Sequence, residues 1–140
     1  IIVYAGYGGQ ILDGRHFDTA RKYLHLHPGD LPMERGSTTL YYSILYKRMC
    51  TVTAFYMNAE IDKGEIIFKE QYPVPDRGVD IDHYYDNGIR GNSLKNAIEA
   101  ICDGGERHVY PAGAEEEFFV IHPVLKHLAI LLLDDYTVSK

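Results

Sequence analysis

Two runs dense in β-branched and aromatic residues, 51–57 and 65–71, stand on either side of a polar stretch, 58–64. Runs of that composition pair as strands, and so short a connection folds them back as an antiparallel hairpin. Pro73 and Pro75 end the second run, because proline has no N–H for a sheet ladder. Strict alternation along that run puts Ile66 and Phe68 on one face and Ile67 and Lys69 on the other. A lone hairpin is marginal in water, so the rest of the chain must supply layers that cover it.

Those layers are readable on both sides. Residues 1–4, Ile-Ile-Val-Tyr, form a short apolar run that ends at Gly6, Gly8 and Gly9, the pattern of a buried strand feeding a glycine loop. A short helix is expected over 17–23 and a second strand over 24–27, closed by the turn Pro28-Gly29-Asp30. Ser37, Thr38 or Thr39 caps a helix through Leu40, Ser43, Ile44 and Tyr46. Residues 80–100 read as helical. Asn87-Gly88 and Gly91-Asn92 interrupt them, so the expectation is two helices, the second over 93–102 and closed by Asp103-Gly104-Gly105. A strand over 118–121 follows, and Pro123 opens a last short helix or an irregular turn. Strands alternating with helices give an α/β fold with a mixed, mainly parallel sheet.

Composition narrows the function classes. A chain of 140 residues with 46% hydrophobic and 24% charged residues is one domain's worth of globular protein. A formal charge of −6 and scattered Lys and Arg argue against a nucleic-acid partner. The apolar run 128–133 is too short to cross a membrane. Cys50 and Cys102 have no metal-ligand spacing and read as buried free thiols of a reducing, cytoplasmic compartment. No signal peptide is visible. A chain that opens inside a core strand, with no initiator Met, is expected to be preceded by an N-terminal portion.

Three polar features lie at strand ends, where open α/β sheets place their functional groups. They are residues 25–32, His-Leu-His-Pro-Gly-Asp-Leu-Pro; residues 34–37, Glu-Arg-Gly-Ser; and residues 59–64, Ala-Glu-Ile-Asp-Lys-Gly. His25 and His27 are two apart on a strand and face one way. A loop carboxylate such as Asp62 can orient an imidazole and stabilise its protonated form, which makes a general acid–base unit. The same His-x-His could instead be structural.

The run His25-Leu26-His27-Pro28, then Leu31-Pro32, then Arg35-Gly36, resembles the signature of the folate-dependent formyltransferases. Asp62-Lys63-Gly64 resembles the family's downstream loop. His27 and Asp62 are 35 positions apart, similar to the family spacing. Upstream, Tyr4-Ala5-Gly6-Tyr7 and Ile11-Leu12 resemble the strand and loop that hold the folate. The resemblance covers residues 1–71, half of the chain. It implies the C-terminal half of a Rossmann-like formyltransferase catalytic domain over residues 1–110, its N-terminal strands missing, with a C-terminal extension over 111–140.

The resemblance further implies transfer of a formyl group from 10-formyltetrahydrofolate, as co-substrate, to an amine. His25, His27 and Asp62 are the expected catalytic residues, the two histidines stabilising the oxyanion. His25 stands where the family has Asn, which puts the reaction or its rate in question. The folate is expected on Tyr7, Gln10, Ile11, Leu12, Asn58, Glu60 and Ile61, and an anionic acceptor on Arg35, which is as readily a structural hydrogen-bonding residue. The tail after Cys102 is too short for the barrel domain of methionyl-tRNA formyltransferases. The expected acceptor is therefore a small-molecule amine such as an amino sugar nucleotide, with no nucleic acid or membrane partner and a homodimer left open. Two rivals stand beside this reading: a metal-dependent hydrolase built on His-x-His, and a degenerate formyltransferase fold that binds without catalysis. His122 and His127 have no chemistry assigned and read as structural.

Overall fold

The computed structural model describes residues 1–6, 10, 12–104 and 117–137. A four-stranded sheet runs in the order β1 (Ile2–Tyr4), β2 (Tyr23–His27), β4 (Met49–Met57), β5 (Gly64–Pro73). The short strand β3 (Arg35–Gly36) pairs in parallel with β6 (Glu117–Phe118) as a separate ribbon. The helices are α1 (Thr39–Tyr46), α2 (Asp86–Cys102) and α3 (Pro123–Thr137). The fold is α/β with a mixed sheet, as expected. Its parallel share is smaller than expected: β1–β2 is parallel, while β2–β4 and β4–β5 are antiparallel. The hairpin accounts for the second of these antiparallel pairs, since it joins two successive strands without a crossover helix, while β2 and β4 are antiparallel with α1 between them in the chain.

The two faces of the sheet differ. Leu24 and Leu26 of β2 and Cys50, Val52, Ala54 and Tyr56 of β4 face the main core with Leu40, Tyr41 and Ile44 of α1, Ile89 and Ala97 of α2, and Ala129 and Leu133 of α3. Burying each such large aliphatic side chain contributes about 1.5–3 kcal/mol. The opposite face carries a small cluster of Leu31, Phe55 and Ile66, with Met57 packed against it. His25 and His27, which alternate with Leu24 and Leu26 on β2, belong to this second face.

A β-bulge between Ala54 and Phe55 breaks the expected alternation on β5. Ile66 joins the cluster with Phe55, whereas Phe68 packs against the main core. An extra residue in one strand reverses the facing of all that follows. The strand at 1–4 is found, yet it is not buried: it lies at the sheet edge, with Ile1, Ile2 and Val3 exposed. No helix forms over 17–23. Gly14–His16 makes a 3₁₀ turn, and Tyr23 is drawn into β2 by pairing with Ile2.

Residues 80–102 are not two helices. A π-helical turn, Ile81–Tyr85, runs straight into α2, and Gly88 and Gly91 sit within the helix. Their intrinsic cost of about 1 kcal/mol each is outweighed by Ile89, Ser93 and Ala97, which are buried at successive four-residue steps. Cys50 is buried as expected, and burial pushes its thiol up to about 11. Cys102 is exposed, because it ends α2 beyond the last residue that reaches the core. Pro123 does start a helix. His122 Nδ1 accepts the Val124 N–H at 3.2 Å, so this histidine caps α3. Among the described residues no helix is long and apolar enough to cross a membrane. The division expected at residue 110 lies outside the described residues.

Candidate functional site

The C-terminal end of β2 delivers His27 into a pocket of main-chain and carboxylate oxygens. The ring is 2% exposed. Its Nε2 lies 2.6 Å from the Glu34 carbonyl oxygen. A carbonyl can only accept, so Nε2 carries the hydrogen. Nδ1 lies 3.6 Å from Asp62 Oδ1, too far for a direct hydrogen bond and close enough for the carboxylate to face the ring. The expected partnership of His27 with Asp62 is therefore present in the geometry, across 35 residues of sequence.

The turn 28–34 is what holds the carbonyl on His27. Glu34 is 3% exposed. Its carboxylate accepts from Asp30 N–H at 2.9 Å and Ser43 Oγ at 3.0 Å, and pairs with Lys47 Nζ at 3.1 Å. The Glu34 N–H returns to the Asp30 carbonyl at 2.9 Å. Thr53 Oγ1 donates to the Gly29 carbonyl at 2.6 Å and accepts the Leu31 N–H at 3.2 Å, while Thr39 Oγ1 donates to the Pro28 carbonyl. Gly29 is required for space. A Cβ there would stand 2.6 Å from His27 Nε2 and 2.8 Å from the Glu34 carbonyl oxygen, on top of the bond that fixes the ring.

Asp62 reaches the site from the β4–β5 connection with a left-handed backbone, φ 50°. Its second oxygen accepts the Gly36 N–H at 2.8 Å. Gly36 has φ 100°, and a Cβ on it would overlap the Phe118 carbonyl, so glycine is needed for both conformation and space. Arg35 donates through Nε and a terminal nitrogen to the Ile61 carbonyl at 3.3 and 3.0 Å. Its guanidinium thus fastens 58–63 to 34–36. That is the structural alternative named for this residue.

His25, two residues before His27, is half-buried. Its Nδ1 lies 3.0 Å from the Tyr4 carbonyl oxygen on β1, and the Phe55 ring meets it edge-on at 5.8 Å between centroids. Burial, opposed by the Tyr4 carbonyl, and then repulsion from His27 hold its imidazole below the usual histidine range. The hydrogen expected to serve an oxyanion is, at Nδ1, spent on Tyr4.

The expected folate residues that are described fall in two stretches of the chain. Asn58, Glu60 and Ile61 are exposed on the β4–β5 connection; Asn58 Oδ1 accepts the Glu60 N–H at 2.9 Å, and Glu60 pairs with Lys63 at 3.0 Å. Gln10 is exposed and Leu12 half-buried, and no hydrogen bond joins either to the histidines. Tyr7 and Ile11 lie outside the described residues. Residues that sequence reasoning passed over are Glu34 as a brace, Thr53, Ser43 and Phe55. Glu34 was noted only as part of the polar run 34–37, and nothing in the sequence separates it from Asp30, the other acid of the turn. The other three look like ordinary strand or helix residues.

The His-x-His metal reading finds no support in the ligand set. Both His27 nitrogens face protein oxygens, and among the described residues no group of three His, Cys, Asp or Glu is placed to hold an ion.

No protein-family model matches the chain. In sequence it is 35% identical over 78 residues to the methionyl-tRNA formyltransferase of Rickettsia bellii, covering 54% of this chain and 25% of that protein. The methionyl-tRNA formyltransferase of Syntrophus aciditrophicus is 28% identical over 130 residues, covering 90% of this chain and 40% of the relative. The chain thus spans a quarter to two fifths of the curated relatives named here. In structure it is similar to a 4-N formyltransferase from Francisella tularensis, with TM-score 0.63, 19% identity, and coverage of 89% of this chain and 57% of that one. It is also similar to WlaRD, a sugar 3N-formyl transferase solved with dTDP and 5-N-formyl-THF, with TM-score 0.53, 22% identity, and coverage of 69% and 36%. The resemblance read from the sequence is therefore borne out: the chain has the formyltransferase fold and matches part of the formyltransferase sequence.

Proposed function

We propose that this chain, a relative of the formyltransferases over part of their length, moves a formyl group from 10-formyltetrahydrofolate to a small-molecule amine. The observation that carries this reading is His27 at the end of β2, clamped by the Glu34 carbonyl on Nε2 and faced by Asp62 on Nδ1. Such a constellation suits acyl transfer. The amine attacks the formyl carbon, negative charge develops on the formyl oxygen, and protons move between the two nitrogens. Asp62 orients His27 and counters positive charge that forms on it.

The folate is proposed to lie along the exposed connection with Asn58, Glu60 and Ile61, and Tyr7, Gln10, Ile11 and Leu12 are the further residues assigned to it. The 5-N-formyl-THF in WlaRD supports a folate donor. The proposed acceptor is an amino sugar nucleotide. WlaRD, a sugar N-formyl transferase, supports it. The sequence relatives, named for methionyl-tRNA, favour a second reading in which the amine is that of an aminoacyl-tRNA. A cytoplasmic location, and residues 1–110 and 111–140 as catalytic portion and extension, complete the proposal. Within the extension, Ala129 and Leu133 of α3 are buried in the same core as α1.

Calorimetric titration with 5-formyltetrahydrofolate tests the donor site. Saturable binding by the wild type is expected, and its absence on a folded sample would count against the proposal. In a subsequent screen of amines, Asp62→Asn tests the pair: it keeps an oxygen for the Gly36 N–H but removes the charge. It should lower turnover by about 10²-fold or more with folate binding retained.

A further inference from the structure

Proton transfer in this site needs a nitrogen that can take a proton from a reactant, and the two histidines differ in how open theirs is. His27 is buried, with Nε2–H on the Glu34 carbonyl and Nδ1 turned to Asp62. His25 is half-buried and uses one nitrogen. Its Nδ1 meets the Tyr4 carbonyl at 3.0 Å, and because that oxygen cannot donate, Nδ1 bears the hydrogen. The neutral ring therefore has a bare lone pair on Nε2, for which the described residues supply no partner. Tyr4 belongs to β1, paired in register with His25, so main-chain geometry selects the tautomer. Phe55 on β4 and the Tyr4 ring, at 5.8 and 6.1 Å between centroids, bracket the imidazole.

The groups that act on its charge are the main-chain carbonyl of Tyr4 on β1, His27 on β2, Asp62 on the β4–β5 connection and Arg90 on α2, while β4 presents the apolar Phe55 ring. Burial, His27 and Arg90 disfavour a second proton, while the Tyr4 carbonyl and Asp62 favour one; the balance lies below the usual histidine range. His25 is thus neutral at pH 7, with Nε2 as an acceptor. An oxyanion donor would need the opposite, a hydrogen on Nε2.

We propose that His25 Nε2 is the proton acceptor of the transfer, taking a proton from the attacking amine and passing it to the departing folate nitrogen. The proposal rests on the formyl-transfer reading. As the amine nitrogen bonds to the formyl carbon, the carbonyl electron pair moves to oxygen and an N–H proton goes to Nε2. The carbonyl then re-forms, the bond to the folate nitrogen breaks with its pair on that nitrogen, and the proton on Nε2 is delivered there. Formamide and tetrahydrofolate result, and His25 returns to its starting tautomer. Asparagine, which the family resemblance places at this position, has an amide that neither gains nor loses a proton near neutral pH. This chain should therefore show a pH dependence that an asparagine at this position would not confer.

The two roles for His25 predict opposite slopes. A base gives kcat/KM that rises with pH through the His25 titration and levels above it, whereas an imidazolium donor gives a fall. The experiment compares pH profiles of the full-length protein and its His25→Asn and His25→Gln variants, with ¹⁵N NMR of the imidazoles and calorimetry with 5-formyltetrahydrofolate alongside. The expected result is a rising limb in the wild type, its loss in both variants with a fall of about 10²- to 10⁴-fold in rate, unchanged folate affinity, and an NMR signature of Nδ1–H with bare Nε2 at pH 7. A falling limb, a hydrogen on Nε2 at neutral pH, or variants that keep the wild-type rate and limb would overturn the role while leaving formyl transfer standing. Folate binding with no turnover of any amine would sink the transfer reading and this role with it.

Discussion

Residues 28–36 and residues 58–63 meet at the His27 ring, and their bonds are distributed very differently. The first segment is fastened from within. Glu34 is buried and accepts three donors, Thr53 bridges two points of the turn, and Thr39 holds Pro28. The second carries exposed Asn58, Ala59, Glu60 and Ile61 and docks on the first through Asp62 and Arg35. A turn whose acid is buried and braced by several hydrogen bonds holds a ring in one orientation. An exposed connection with fewer buried atoms is drawn from the low-stability end of a fold, where ligand-binding segments are found. The comparison teaches a division of labour: one segment sets where the imidazole is, and the other brings the carboxylate and presents the surface proposed for folate.

The sharpest way to break that comparison is to remove the brace. Glu34→Ala leaves the Asp30 N–H and Ser43 hydroxyl without their acceptor and takes a carboxylate from Lys47. Unmade hydrogen bonds of buried groups cost about 1–3 kcal/mol each, so a loss of about 3 kcal/mol in denaturant unfolding is expected. If the turn 28–34 were as loosely held as 58–63, the change would fall below about 1 kcal/mol. Gly29→Ala should come next, at about 2 kcal/mol, in the range of overpacking a tight site. Its Cβ would displace either His27 or the Glu34 carbonyl, so the His27 imidazole resonances should shift more than those of any other histidine. Unshifted resonances would show that the turn can yield elsewhere.

The sequence made one of these segments legible and the other only half so. His27, Pro28 and Asp62 were readable because residue type and order carry them, and the hairpin that delivers Asp62 follows from β-rich runs around a polar loop. The brace was not readable. Glu34 acts on His27 through its main-chain carbonyl, and any residue has one; that the carboxylate is buried depends on Ser43 of α1 and Lys47, which follows it, arriving beside it. The same limit explains the misread elements. Gly88 and Gly91 suggest a break by local propensity, but a helix with Ile89, Ser93 and Ala97 buried on one side is held by packing. Ile66 and Phe68 part company at a bulge that has no signature in composition. Ile1, Ile2 and Val3 are apolar and β-branched, which fixes them as strand but says nothing of whether another layer lies over them.

A smaller effect should sharpen the contrast from the other side. Arg35→Ala removes two hydrogen bonds to the Ile61 carbonyl on an exposed connection, where water replaces them. Global stability should change by less than about 1 kcal/mol, while hydrogen exchange at residues 58–63 should accelerate and that at 28–34 should not. Equal acceleration in both segments would mean that they open as one unit and that the division of labour fails.

The smallest expected effect concerns acid stability and returns to His25. Burial, against the pull of the Tyr4 carbonyl, keeps its folded-state proton affinity below that of the unfolded chain. Below 6.5, the unfolded imidazole takes up a proton that the folded one still refuses, so the unfolded state binds more protons and stability falls as pH drops. The loss is complete once the folded ring also protonates, and above 6.5 it vanishes because both states are neutral. The difference in unfolding free energy between wild type and His25→Gln should therefore be constant above neutrality. As pH falls from about 7 toward 5 it should shift in favour of the variant, since glutamine has no proton to take up. A shift in the opposite direction would mean that the folded ring gains its second proton more readily than the unfolded one. That would place a hydrogen on Nε2 under working conditions and give His25 the donor's role instead of the base's.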